Sequence, residues 1–148
     1  MQVLDPVSVI LKQKGGRIWS IHPSATVYDA IALMADKQIG SLLVMENSRL
    51  LGMLSERDYA RKVILRGRSS KDTRVDEIMI SDPVTIDPDC PIDDAMRVMT
   101  ENRVRHLPII EDRGTVVGIV SIGDLVKWII TSHQETIEQL QSYIAGTF

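Results

Sequence analysis

One pattern of residues occurs twice in this chain, and this duplication limits the possible folds more than any other feature. Pro23 corresponds to Pro88, and a constant offset then keeps the two copies in step. After one residue inserted in the second copy, Asp58 corresponds to Asp124. Each copy is too small to bury a sufficient core alone, so it is expected to pack against the other. The sequence therefore predicts two similar units packed face to face about a pseudo-twofold axis.

Hydrophobic spacing predicts the same order of elements in both copies. A short strand over 17–21 is followed by an apolar stripe at helical spacing, by two apolar runs typical of a hairpin, and by a helix over 55–65. Each copy is therefore predicted to be a β-α-β-β-α unit, which places the chain in the α/β class, of the α+β kind. The two stripes consist of Val27, Ala30, Ile31 and Met34, and of Ile92, Ala95, Met96 and Met99. The two hairpins are predicted at 41–45 with 50–54, and at 107–110 with 116–120.

Composition shifts along the chain predict five segments. The predicted order is an N-terminal helix and lead-in (1–16), the first repeat (17–66), a polar linker with a lead-in helix (67–82), the second repeat (83–130) and a C-terminal helix (131–148). The last helix carries an apolar stripe that must pack on its own module or on a second chain. That stripe consists of Ile137, Leu140, Tyr143 and Ile144.

Composition also argues against several classes of function. The chain has 148 residues and a formal net charge of −3, without the basic surplus that is typical of nucleic-acid binding. The single cysteine, Cys90, excludes an intramolecular disulfide, and no two histidines have metal-ligand spacing. No apolar run reaches the roughly 20 residues of a membrane span, and the first residues lack the order of a signal peptide. We therefore predict a cytoplasmic location, or an equivalent reducing compartment, with no metal, nucleic acid or membrane partner.

The segment best suited to bind a ligand is 52–58, which the second copy repeats at 118–124. A serine followed three residues later by an acid is typical of a capping box, in which both side chains satisfy free backbone N–H groups. The same helix start also suits an anion, and a short carboxylate can accept hydrogen bonds from both ribose hydroxyls. The glycine that opens each segment is expected to let a ligand approach the backbone. On the residues alone, both interpretations stay open.

These features together resemble a known family. The paired β-α-β-β-α units, the Val-x-x-Ile-Met lead-in at 75–79, the His-Leu-Pro-Ile strand at 106–109 and the duplicated Gly-x-x-Ser-x-x-Asp resemble tandem CBS domains (cystathionine-β-synthase domains), which form a Bateman module. The run 55–62, with the N-terminal helix, resembles the stand-alone CBS-pair proteins of bacteria and of plant mitochondria. The resemblance covers roughly residues 7–130. It implies a disc-shaped dimer of modules, with clefts between repeats that bind adenosyl ligands such as AMP, ADP, ATP, NAD or S-adenosylmethionine.

The resemblance also assigns roles to individual residues. It implies that Asp58 and Asp124 contact the ribose, with Ser55 and Ser121 beside them. The candidates for phosphate contact are Arg57, Arg105 and His106, and the weaker ligand candidates are Thr85, Ser20 and Pro108.

The two copies differ at the phosphate positions. Gly40 and Ser41 stand where the second copy has Arg105 and His106, and Gly123 stands where the first copy has Arg57. Because the cations are unequally distributed, the two sites are expected to differ in affinity or in ligand.

The favoured function is a non-catalytic regulatory sensor that binds an adenine nucleotide between the repeats. It would have no permanent cofactor, and its homodimer would be read by a protein target. The alternative is a ligand-free dimeric interaction module that regulates a partner. An enzyme is disfavoured, because the sequence contains no phosphate loop, nucleophile elbow or metal-binding motif.

Overall fold

The computed structural model describes residues 4–133, together with 138, 141, 142, 144 and 145. Three members of the predicted C-terminal stripe, Ile137, Leu140 and Tyr143, lie outside the described residues. Among the residues that the structure describes, no helix has the length and hydropathy needed to cross a membrane.

The elements follow the predicted order in both repeats. The helices are α1 (Ser8–Lys14), α2 (Val27–Lys37), α3 (Glu56–Tyr59), α4 (Val75–Ile78), α5 (Ile92–Asn102) and α6 (Ile122–Ser132). The strands are β1 (Ser20–Ile21), β2 (Ser41–Glu46), β3 (Arg49–Ser55), β4 (Ile80–Ser81), β5 (His106–Ile110) and β6 (Val116–Ser121). Helix α3 continues as a π-helical segment, Ala60–Ile64, which the sequence analysis did not predict.

The two sheets share the same central strand pairings. Strands β2 and β3 form an antiparallel hairpin, as do β5 and β6, so both predicted hairpins are confirmed. Ile21 pairs in parallel with Val44 in the first repeat, and Ile86 pairs in parallel with Ile109 at the equivalent place in the second. The predicted first strand of the second repeat is therefore reduced to a single bridge. The first sheet gains a fourth strand, β4, which pairs with β3.

Each repeat has its own hydrophobic core, and each core is completed by the lead-in of the other repeat. Val75 and Ile78 of the second lead-in pack in the first core with α2 and the β2–β3 hairpin. Val7 and Ile10 of the first lead-in pack in the second core with α5 and the β5–β6 hairpin. Equivalent backbone bonds fix both lead-ins, since Val75 N–H donates to the Ala25 carbonyl (2.8 Å) and Val7 N–H donates to the Cys90 carbonyl (2.9 Å). The two repeats are thus interlocked.

The lead-ins also explain the glycine that opens each motif. A Cβ at Gly52 would lie 2.6 Å from the Ile80 carbonyl oxygen and 2.9 Å from Met79 Sδ. A Cβ at Gly118 would lie 2.6 Å from Leu11 Cδ2. The expectation that these glycines admit a ligand is therefore wrong, because the lead-in that covers each strand already fills that space.

Candidate functional site

Both Ser-x-x-Asp motifs form capping boxes. In the first, the Ser55 N–H donates to Asp58 Oδ2 (2.9 Å) and the Asp58 N–H donates to Ser55 Oγ (3.2 Å). In the second, the Ser121 N–H donates to Asp124 Oδ2 (2.9 Å) and the Asp124 N–H donates to Ser121 Oγ (3.1 Å). The capping interpretation is confirmed in both repeats. A cap of this kind uses one carboxylate oxygen, so it does not exclude a second role for the other.

A cavity of about 460 Å³ lies between the repeats, next to the first capping box. Its wall contains Ser55, Arg57 and Asp58 from the first repeat and Arg105 and His106 from the second. These are five of the predicted site residues, and they come from two repeats. Five apolar side chains form another part of the wall, namely Met53, Ile80, Pro83, Val84 and Val104.

The hairpin register places these residues at the open ends of the two hairpins. His106 pairs with Ser121 at the open end of the β5–β6 hairpin, opposite its turn, and Ser41 pairs with Ser55 at the open end of the β2–β3 hairpin. The Arg105 carbonyl accepts a hydrogen bond from the Ile122 N–H (2.8 Å), which ties the segment before β5 to the start of α6. The Arg105 and His106 side chains nevertheless line the cavity beside Asp58. The second repeat therefore contributes its cations to the acid of the first.

The cavity has a surplus of positive charge. Four guanidinium groups line it, those of Arg57, Arg61, Arg103 and Arg105, against the carboxylates of Glu56, Asp58 and Asp82. Within the described part of the chain, none of the four arginines takes part in an ion pair. Unpaired guanidinium groups in one cavity favour an anionic ligand, phosphate above all.

Two of these arginines, Arg61 and Arg103, were not among the site residues predicted from the sequence. Arg61 lies four residues after Arg57, and that spacing places both on one face of a helix, so it was a usable signal. Arg103 ends α5 in a left-handed conformation (φ 53°). No local pattern indicated that this turn would face the other repeat.

His106 is the partly buried titratable group of the cavity wall. Burial lowers the pKa of His106. The negative charge of Asp124 raises this pKa, and the positive charges of Lys14 and Arg105 lower it further. The imidazole is therefore neutral at neutral pH and can gain a proton when an anion arrives.

Asp58 and Asp124 differ in their surroundings. Asp58 is buried, and its Oδ1 lies 3.4 Å from Lys62 Nζ, on the same helical stretch. Asp124 Oδ2 lies 2.8 Å from Lys14 Nζ at the end of α1. Burial alone would raise the pKa of Asp124, but hydrogen bonds from Lys14 and from the Ser121 backbone outweigh it and hold the pKa below its usual value. Neither Ser121 nor Asp124 lines the cavity at Asp58.

The three weaker candidates lie away from Asp58. Thr85 lines a second cavity of about 530 Å³, together with Arg49 at the start of β3 and Arg113 in the turn between β5 and β6. Ser20 is exposed in β1 and lines neither cavity. Pro108 is buried in β5, where its carbonyl accepts a hydrogen bond from the Ile86 N–H (3.1 Å). The structure thus brings five of the stronger candidates, from both repeats, together in the cavity at Asp58 and places these three elsewhere.

Comparison with known proteins decides the family. The model of the CBS domain matches this chain twice, at residues 16–65 and 75–131. The chain belongs to the CBS-domain family. Among its relatives is the mitochondrial CBS domain-containing protein CBSX3 of Arabidopsis thaliana, which is 40% identical over 152 residues, a match that covers 96% of this chain and 73% of the relative. The resemblance inferred from the motifs is therefore confirmed, and CBS pairs of this kind are regulatory modules.

Solved structures agree with the fold. A CBS-domain protein from Burkholderia ambifaria MC40-6 superposes with a TM-score of 0.82 and 47% identity, covering 85% of this chain and 94% of that one. The CBS pair of protein MJ0100, solved with 5′-methylthioadenosine and S-adenosylmethionine, superposes with a TM-score of 0.78 at 22% identity, covering 87% and 98%. The prediction of two CBS repeats in tandem is confirmed.

Proposed function

We propose that the cavity at Asp58 binds an adenine nucleotide, such as AMP, ADP, ATP or NAD, and that the chain is a non-catalytic sensor. The observation that carries this proposal is a buried carboxylate in one cavity with four arginines that have no ion-pair partner among the described residues, between two CBS repeats. Asp58 would accept hydrogen bonds from the ribose hydroxyls, beside Ser55. Arg57, Arg105 and His106, joined by Arg61 and Arg103, would bind the phosphates. The apolar wall would contact the adenine.

Charge narrows the ligand class. The MJ0100 pair binds S-adenosylmethionine, whose sulfonium is cationic. In this chain, binding in the cavity at Asp58 would place that cation among Arg57, Arg61, Arg103 and Arg105, whose like charges would repel it. A ligand with two or more phosphates gains a charge-assisted hydrogen bond from each guanidinium that it reaches. We therefore favour nucleotides over S-adenosylmethionine.

A ligand in this cavity would link the repeats. It would touch Asp58 in the first and Arg105 and His106 in the second, so its free energy of binding would depend on how the repeats are arranged. A ligand that prefers one arrangement shifts the population toward it. The partner protein would then detect the shifted arrangement rather than the nucleotide itself.

The homodimer and the cytoplasmic location stay predictions. Exposed apolar side chains at equivalent places of the two repeats favour a dimer, since Ile64 (55% exposed) corresponds to Ile130 (54% exposed). An apolar patch of this kind at the surface is typical of a protein interface.

Thermal melting with AMP, ADP, ATP, NAD and S-adenosylmethionine tests the proposal. A nucleotide at one hundred times its Kd stabilises the folded state by about 2.7 kcal/mol, which raises the Tm by about 5–10 °C. We expect the phosphate-rich ligands to give the larger shifts. If no adenosyl compound at millimolar concentration moves the melt, the sensor proposal fails and the ligand-free interaction module takes its place.

Nucleotide affinity is expected to rise as the pH falls from 8 to 6. Burial keeps the pKa of His106 low in the free protein, and phosphate oxygens beside the ring would raise it. Binding would therefore take up a proton, and the affinity would increase about tenfold as the imidazole becomes charged. Calorimetry in buffers of different ionisation enthalpy measures this uptake. His106→Gln serves as the control, and equal proton uptake by the variant would exclude the histidine from phosphate contact.

A further inference from the structure

Lys14 occupies the second repeat's equivalent of the ligand position. It is the last residue of α1, and its Nζ donates hydrogen bonds to Asp124 Oδ2 (2.8 Å) and to the Ile119 carbonyl (3.1 Å). Asp124 corresponds to Asp58, the acid of the open cavity. The Asp124 oxygen that caps α6 therefore also accepts a hydrogen bond from the ammonium group of Lys14, which is distant in the sequence.

The two lead-ins diverge at the point that delivers this lysine. They are equivalent from Val7 and Val75 onward, as the matching backbone bonds show. Helix α4 ends at Ile78, and the chain then leaves as β4 along β3. Helix α1 is seven residues long and continues to Lys14. The extra turn of α1 thus brings a cation over β6, where the first repeat has a strand instead.

The first repeat has no matching obstruction in its cavity. Lys62 lies 3.4 Å from Asp58 Oδ1 and donates to the Ile78 carbonyl (2.9 Å), but it does not line the cavity. Lys14 follows Val7 by seven residues. The residue that follows Val75 by the same number is Asp82, which does line the open cavity. Asp58 therefore lines an open cavity, whereas Asp124 lines neither of the two cavities described above and is paired with Lys14.

The second cleft also has fewer of the cations that would compensate for displacing Lys14. Gly123 stands in place of Arg57, and Gly40 stands in place of Arg105. A nucleotide entering there would have to break the Lys14–Asp124 pair without guanidinium groups at these two positions to bind its phosphates.

We infer that Lys14 is an internal plug, which fills the second cleft in place of a ligand and limits each chain to one nucleotide. This inference rests on the proposed function, because it takes Asp124 as a latent ribose acceptor. It also makes Lys14 a specificity-determining residue: without it, the second cleft offers the Asp124 carboxylate but no arginine at the positions of Arg57 and Arg105, which suits an uncharged adenosyl compound.

The test compares adenosine binding by wild type and Lys14→Met. Equilibrium dialysis with labelled adenosine at millimolar concentration counts the bound equivalents per chain. We expect Lys14→Met to bind one equivalent more than wild type, and Lys14→Met/Asp124→Asn to lose it again. The matched control is Lys12→Met, the same change in the same helix, for which the count should equal that of wild type. Melting curves without ligand establish that each variant is folded.

The readout is a difference between two proteins, so it does not depend on the cavity at Asp58. Equal counts for wild type and Lys14→Met would overturn the plug while leaving the sensor proposal intact. An extra equivalent in Lys14→Met, with no effect of any nucleotide on the wild-type melt, would uphold the plug and overturn nucleotide sensing at Asp58.

Discussion

Asp58→Ala is expected to lower nucleotide affinity by at least about a hundredfold, since each hydrogen bond to a charged group contributes about 1.5–3 kcal/mol and the ribose would lose two. The same change removes one half of the α3 capping box, which costs about 0.5–2 kcal/mol of folding free energy. Calorimetric titration with nucleotide and chemical denaturation measure the two effects separately. The protein should therefore stay folded and become insensitive to its ligand.

Asp124→Ala is the matched control. It removes the equivalent cap on α6, together with the pair to Lys14, but it leaves the cavity at Asp58 unchanged. Comparable losses of stability in the two variants, with affinity reduced only by Asp58→Ala, would separate ribose binding from capping. If Asp58→Ala lost stability and kept its affinity, the carboxylate would be a helix cap and nothing more.

Ile10→Ala is expected to destabilise the second repeat, although Ile10 precedes the first repeat in the chain. Ile10 is 4% exposed and packs in the second core, and removing a buried isoleucine side chain to the β-carbon costs about 2–5 kcal/mol. Hydrogen exchange should show the loss of protection mainly in α5 and β5. The effect thus appears far along the sequence from the substitution.

Ile78→Ala provides the reciprocal case. Ile78 is 2% exposed and packs in the first core, so protection should fall mainly in α2 and β2. Exchange changes confined to the repeat that follows each lead-in would contradict the crossed packing of α1 and α4.

Local patterns were enough to predict most of the secondary structure. Stripes at helical spacing and paired apolar runs depend on neighbouring residues, and α2, α5 and both hairpins lie where those patterns placed them. The duplication added the equivalence of the two repeats, which is why Ser55 and Asp58 could be matched to Ser121 and Asp124 before any contact was known.

Long-range placement was beyond these patterns. The sequence at 75–79 indicates a short helix but does not encode which core receives it. The glycines at 52 and 118 illustrate the same limit, because a missing side chain can serve a ligand or a packed helix equally well, and only the position of Met79 and Leu11 decides. The sequence around Lys14 is typical of any lysine near a helix end. Its contact with the second repeat depends on the position of α1 over β6.

The crossed lead-ins also determine how the two repeats would associate if they were separate chains. Two separate single-repeat chains could exchange their N-terminal arms in the same manner, which would give a domain-swapped pair with the same crossed packing. A protease that cleaves the connector near Gly67 would cut the polypeptide but not separate the two halves, because the lead-in of each half would still pack in the core of the other.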